Sequence, residues 1–371
     1  MFHNVKRVVV KVGTSTITYP TYRLNLDRME RLVREIADLT NRGMEVVLVT
    51  SGAISAGLSR LGFSQRPATL PAKQAVAAVG QGLLMQVYEK LFAEYGQVVA
   101  QVLLTREDLR SRERYLNSRH TLLELLRYRV VPIVNENDTV AVEEIKFGDN
   151  DTLSALVAAL VGADLLLVLS DVDGVNTADP RQNPDARLVD VVTSLDELAE
   201  AAGGAGSSRG TGGMVTKFQA ARIACRSGIP MVIAHGGRDG VIHAAVTGAD
   251  VGTLFLPEEE RLNSRKRWLA FYHQPLGEIF VDDGAKTALM EAGKSLLPIG
   301  ITRVSGAFAA GDLVTIRDGE GKEIGRGLSN YSAQEVELIK GHHSEALPQI
   351  LGRKDYDEVI HRDNLVLFPE E

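Results

Sequence analysis

Two lysines, Lys11 and Lys217, stand where an anion could be held. Lys11 interrupts "VVVKVGTST", whose valines demand burial on both faces of a strand, and an unpaired ammonium there is costly or gives up its proton. It needs an anion, or a route along its own stem into water. Gly13 follows, with no side chain to hold a ligand away from the backbone. Lys217 stands in "GTGGMVTKFQAARIA", Gly210 to Ala224. That stretch is not G-x-x-x-x-G-K-[ST], because Thr216 precedes the lysine, and not G-x-G-x-x-G, because Val215 holds the last place. What remains is a glycine-rich loop, Gly210, Thr211, Gly212, Gly213 and Met214, running into a helix. Such a backbone suits phosphates. Helical side chains lean toward the N-terminus, so Lys217 reaches back over the same anion site. A loop followed by a solvated lysine is the plainer alternative.

A second constellation lies in "VVPIVNENDTVAVEEIKFGDNDTLSALVAAL", Val130 to Leu160. Asn135, Glu136, Asn137, Asp138, Asp149, Asn150 and Asp151 fall between a β-branched run and a helix of small apolar residues. Singly, Asp151 reads as a helix cap, Asn137 as a turn former and Asp149 as a solvated carboxylate. So many at one mouth argue for a site. "VTSGAISAG" ends another run in Thr50, Ser51 and Gly52, where amides and hydroxyls meet an anion or Ser51 simply caps a helix. "LLLVLSDVDGV" ends in Ser170, Asp171 and Asp173, which fit a turn, a nucleotide contact or a magnesium contact equally well. His235, His342 and His343 show no metal-ligand spacing, and zinc is not expected. Cys225 falls within the helix after Lys217 and reads as packed.

These residues need elements to hold them. "RVVVKVG", "EVVLVT", "QVVAQVLL", "VVPIVN", "DLLLVLSD" and "IPMVIAHGG" are apolar on consecutive positions, as strands buried on both faces require. Between the first two, "LDRMERLVREIADLTNRG" sets Met29, Leu32, Val33, Ile36 and Leu39 on one stripe and Gly43 at its end. Strand and helix in alternation predict an αβα sandwich around a mainly parallel, doubly wound sheet. Ligands of such folds gather outside the carboxyl ends of the strands, where the polar clusters fall. Near residue 257 the texture changes, so the expected division is 1–256, a linker 257–275, and a small mostly-β barrel domain with its tail, 276–371. A chain of 371 residues exceeds what one core ordinarily supports.

Bulk composition narrows the function. With 44% hydrophobic and 24% charged residues the chain reads as globular, and a formal charge of −7 argues against a dedicated polyanion binder. From Gly277 to Asp355 there are 9 Lys and Arg against 12 Asp and Glu, without a basic stripe, so RNA binding is not expected. One cysteine excludes an internal disulfide and fits a reducing compartment. The start "MFHNVKRVVVKVG" does not read as a signal peptide, and no apolar run reaches the ~18 residues of a membrane span. The cytoplasm is the expected compartment.

In order, "VVVKVGTS", "VTSGAISAG", "VNENDTV", "FGDNDTLSA", "LSDVDG" and "GTGGMVTK" resemble the amino acid kinase superfamily, most closely its glutamate 5-kinase branch, and the C-terminal third resembles a PUA domain. The resemblance implies transfer of a phosphoryl group from ATP to the γ-carboxylate of L-glutamate, giving L-glutamyl 5-phosphate, the first step toward proline. It implies proline as feedback inhibitor, acting near the loop from Val134 to Asn150, and a homo-oligomer, dimer or tetramer. By motif, Ser51, Gly52, Asp138 and Asn150 would hold glutamate. Lys11 and Lys217 would contact phosphates, Asp151 would hold the lysines, and Ser170, Asp171 and Gly210 to Lys217 would bind ATP, with Mg2+ carried by the nucleotide. Elementary chemistry agrees. The acceptor carboxylate, with a reference pKa of about 4.3, is ionised near neutrality and needs no base. Positioning and charge neutralisation are what remain.

Overall fold

The computed structural model describes residues 5–141, 150–178, 183, 185–193, 212–257 and 275–368. The chain divides into two compact units, Met1–Arg261 and Leu262–Glu371. Most of the expected linker lies outside the described residues.

In the first unit the apolar runs become one eight-stranded sheet, because β-branched and leucine side chains fill both faces of a covered strand. Its strands are β1 (Arg7–Val12), β2 (Glu45–Val49), β3 (Val99–Leu104), β4 (Val131–Glu136), β5 (Leu165–Ser170), β6 (Val191–Val192), β7 (Met231–His235) and β8 (Gly252–Phe255). Their spatial order is β3-β4-β2-β1-β5-β7-β8-β6. Neighbours run parallel throughout, except that β8 is antiparallel to β7. The chain first builds outward from β1 through β2 and then returns to its other side with β5, so the order reverses at β1. A crevice for ligand opens at such a reversal.

The described helices of this unit are α1 (Thr14–Ile17), α2 (Leu26–Asn41), α3 (Ala53–Leu61), α4 (Leu70–Ala93), α5 (Arg106–Arg110), α6 (Arg112–Arg127), α7 (Asp151–Val161), α8 (Gly212–Arg226) and α9 (Val241–Thr247). Side chains alternate across β1. Val8, Val10 and Val12 join the core formed with α2, α4 and α9. Val9 and Lys11 therefore point to the opposite face, where α7 packs on β1 and β5. Every residue of α7 is buried, since α8 covers it in turn. The stripe expected for α2 is the buried one: Met29, Val33 and Ile36 are fully enclosed, each worth about 1.5–3 kcal/mol over exposure. Asn25 caps that helix, its side chain accepting from the Arg28 N–H.

One expectation fails. β3 is not buried on both faces: only β4 pairs with it, Gln101 is exposed and four of its residues are half-buried. Neighbour order in a sheet is set by distant segments, and the local run does not carry it. β8 and the two-residue β6 escaped the sequence reading because they are too short to display a period.

Helices α3 and α4 meet backbone to backbone. A Cβ on Gly80 would lie 1.7 Å from the Ala53 carbonyl oxygen, and one on Gly57 would lie 2.0 Å from that of Val76. Only glycine fits at either place.

The second unit has its own core, built on β9 (Gly277–Val281), β10 (Ile301–Gly306), β11 (Leu313–Arg317), β12 (Glu323–Leu328) and β13 (Leu365–Leu367). They are ordered β10-β9-β11-β12-β13, with β9 and β11 parallel and the other pairs antiparallel. Three short helices accompany them, α10 (Asp283–Met290), α11 (Ala333–Ile339) and α12 (Leu347–Leu351). Asp282 caps α10, and Ser332 with Glu335 forms a reciprocal capping pair on α11. No described helix is long and apolar enough to cross a membrane.

Candidate functional site

The two singled-out lysines meet on one carboxylate. Lys11 Nζ, at the carboxyl end of β1, lies 2.5 Å from Asp151 Oδ1, and Lys217 Nζ, from α8, donates to Asp151 Oδ2 at 3.0 Å. Asp151 is 0% exposed, Lys11 3% and Lys217 6%. Thr216 Oγ1 donates to Asp151 Oδ2 at 3.2 Å, and Lys217 Nζ also reaches the Gly213 carbonyl at 3.3 Å. The lysine thus leans back over the first turn of its own helix, as helical geometry dictates. Gly13 brings the backbone close, for a Cβ there would lie 3.6 Å from Lys11 Nζ.

Asp151 is not a helix cap. The N-cap of α7 is Asn150, whose side chain makes no capping bond, and Asp151 is the first helical residue. The helix dipole favours its negative charge at that position. Nor is Ser51 a cap. Gly52 holds that place in α3 with φ +97, a left-handed conformation that glycine adopts without strain. Ser51 is buried in the turn between β2 and α3.

At the neighbouring strand ends the contacts are neutral. Asn150 Nδ2 donates to the Thr50 carbonyl at 2.6 Å and to Asn135 Oδ1 at 2.7 Å. Thr50 Oγ1 and Tyr88 OH lie 2.8 Å apart, tying the end of β2 to α4, and burial pushes the Tyr88 phenol upward. Asp138, half-buried in the turn after β4, has its carboxyl pushed up to about 6 by desolvation. Across β1, Ser170 Oγ donates to Asp171 Oδ1 at 3.1 Å at the end of β5, with the Asp171 side chain exposed. Gly212 opens α8, Gly213 is exposed and Met214 is half-buried. Gly210, Thr211 and Asp149 lie outside the described residues.

Sequence reasoning missed Gln81 and Tyr88, and took in Thr216 only as part of the Gly210 to Lys217 stretch. Thr216 was legible in principle, one residue before the lysine. Gln81 and Tyr88 gave no signal because α4 carries apolar residues all round and announces no functional face. Among the described residues no group of three His, Cys, Asp or Glu converges as a metal cage does. The oxygen donors of Ser170 and Asp171 fit a magnesium ion that keeps its phosphate and water ligands.

A model of the amino acid kinase family matches residues 6–235, and one of the PUA domain matches 277–351. A glutamate 5-kinase from Moorella thermoacetica is 59% identical over 364 residues, covering 98% of this chain and 96% of that one. One from Caldanaerobacter subterraneus subsp. tengcongensis is 56% identical over 363 residues, 98% of each chain. Among solved structures, a UMP kinase from Bacillus anthracis aligns over 68% of this chain and 97% of that one, with TM-score 0.49 and 18% identity.

Proposed function

The chain belongs to the amino acid kinase family, and from that premise we propose that it phosphorylates the γ-carboxylate of L-glutamate with ATP, giving L-glutamyl 5-phosphate on the way to proline. The relatives at 59% and 56% identity that carry the glutamate 5-kinase name support the choice of substrate. The observation that carries the mechanism is the convergence of Lys11 and Lys217 on Asp151 where the strand order reverses.

A glutamate γ-carboxylate oxygen forms a bond to the γ-phosphorus of ATP, and the bond from that phosphorus to the β,γ-bridging oxygen breaks, with ADP as leaving group. No proton need move, since the acceptor is already ionised. Both partners are anions, so the enzyme must lower their repulsion and align them. Lys11 and Lys217 supply positive charge at fixed points, and Asp151 keeps two ammonium groups side by side that would otherwise repel. Magnesium, when bound with the nucleotide, neutralises phosphate charge. Ser170, Asp171 and the Gly210 to Lys217 stretch line the nucleotide side of this proposal, with Ser51, Gly52, Asp138 and Asn150 on the glutamate side. Asp138 meets the α-ammonium. Proline, an amino acid that shares the α-carboxylate and a cationic nitrogen, competes for the same side and makes the glutamate site the seat of feedback.

The test is formation of glutamyl hydroxamate from glutamate, ATP and magnesium with hydroxylamine present, which traps an acyl phosphate. Hydroxamate with glutamate and none with acetylglutamate supports the reading. ADP release with UMP or carbamate as acceptor, and no hydroxamate from glutamate, overturns it.

A further inference from the structure

Four carboxamides stand in file from the middle of β3, by way of α4 and the carboxyl end of β4, to the start of α7. Gln81 Nε2, on α4, donates to Gln101 Oε1 of β3 at 2.9 Å, and Asn135 Nδ2 of β4 donates to Gln81 Oε1 at 2.8 Å. Asn150 Nδ2 then donates to Asn135 Oδ1 and to the Thr50 carbonyl at 2.7 and 2.6 Å. An isolated side-chain amide has two orientations that merely exchange nitrogen and oxygen. Here the main chain decides between them. The Thr50 carbonyl only accepts, so the Asn150 atom facing it is nitrogen. The Glu136 N–H only donates, so the Asn135 atom facing it at 2.9 Å is oxygen. Asn150 therefore commits its nitrogen to the protein, and its Oδ1, which takes no hydrogen bond among the described residues, remains as an acceptor.

We infer that Gln81 is a positioning residue for the acceptor site: its oxygen receives Asn135 Nδ2 and so holds in place the side chain on which Asn150 Nδ2 rests, bracing the polarity set by Thr50 and Glu136 that leaves Asn150 an oxygen, not an N–H, for the substrate. A group read by that oxygen must be a donor. On an amino dicarboxylate the donor is the α-ammonium, and the ionised carboxylates are excluded. This inference rests on the glutamate reading above and adds which end of the substrate Asn150 meets. Gln101, on the exposed edge strand, backs Gln81 from behind.

The experiment compares Gln81→Leu, Gln81→Glu, Asn150→Ala and the double variant Gln81→Leu with Asn150→Ala in hydroxamate kinetics. Gln81→Leu leaves Asn135 Nδ2 without its acceptor, and the glutamate KM is expected to rise roughly fivefold, while kcat and the ATP KM stay within about twofold. Preference for glutamate over glutarate, which lacks the α-ammonium, narrows. In Gln81→Glu the carboxylate still accepts from Asn135, and the glutamate KM stays within about twofold of the parent. On the Asn150→Ala background, Gln81→Leu adds nothing, because a positioning residue has no effect without the group it positions. An unmoved glutamate KM, equal rises in both KM values, or full additivity with Asn150→Ala overturns the inference. Should circular dichroism show Gln81→Leu unfolded, Gln101→Val at the exposed edge carries the test, with the same direction and a smaller rise expected, and no rise overturning it. The parent protein separates the two claims: no hydroxamate from glutamate removes the substrate reading itself, whereas hydroxamate with an unmoved KM in Gln81→Leu removes only the role of Gln81.

Discussion

The carboxyl ends of one sheet carry two polar clusters of opposite design. Around β1, Lys11, Asp151 and Lys217 form a charged cluster almost sealed from water. Around β4, Gln101, Gln81, Asn135 and Asn150 form a neutral chain that runs from an exposed edge to a buried end. Buried ions act at a distance with little regard for angle and are costly when one partner is lost. Amides carry no net charge, yet each bond has a sense. The first cluster suits charge that must be neutralised, and the second suits a ligand whose orientation must be read.

Breaking the charged cluster should do the most damage. Asp151→Ala leaves two ammonium groups without their shared carboxylate, and loss of one partner of a buried pair costs about 3–5 kcal/mol. Denaturant unfolding is expected to show that loss together with a kcat reduced at least ~100-fold. If stability and kcat both stay near the parent values, the cluster is not the structural and catalytic centre.

Next come the two sides of the site. Lys217→Met should lower kcat by about 100-fold or more while the glutamate KM moves little. Asp138→Asn should do the reverse, raising the glutamate KM on the order of tenfold with a modest change in kcat. Steady-state kinetics with the pattern exchanged would reassign both residues.

A pH profile sharpens the contrast. The Asp138 carboxyl is raised from 3.8 to about 6 by desolvation, so the substrate-free native state holds this proton more firmly than the unfolded chain does. Its contribution to stability therefore increases as pH falls from above 6 toward 3.8 and is lost as pH rises through that window. Binding of an ammonium needs the ionised form and runs the other way. kcat/KM for glutamate is expected to fall as pH drops below about 6, by up to about tenfold per unit. In Asp138→Asn that inflection should vanish.

The smallest effect is expected behind the site. Tyr88→Phe removes the hydroxyl at 2.8 Å from Thr50 Oγ1 and should lower stability by about 0.5–1.5 kcal/mol, with kcat nearly unchanged. Thermal unfolding and hydroxamate rates measure both. A large fall in kcat would mean that α4 reaches the chemistry more directly.

The charged cluster was legible in the sequence, and of the amide chain only Asn135 and Asn150 were. A lysine among valines is an anomaly that announces itself, and the strand-end rule says where its partner gathers. Asp151 was marked because it ended a crowded loop; alone it read as a helix cap, the resemblance implied that it holds the lysines, and both lysines lie on it. Gln81 and Gln101 are ordinary residues of a helix and a strand. Their meaning comes from α4 lying over the β3–β4 edge, a neighbour relation that no local pattern encodes. The same cause hid the partial exposure of β3.

The glycine contact between α3 and α4 has a mechanical corollary. Gly57 and Gly80 let two main chains touch with no side chain between them to act as a cushion, so the Ser51–Gly52 turn is bolted to a rod of 24 residues, roughly 36 Å long. That turn cannot swing by itself to admit a ligand. Whatever widening of the entrance occurs has to carry both helices as one block or come from the opposite wall, and amide protons on either side of the crossing should exchange with solvent in step.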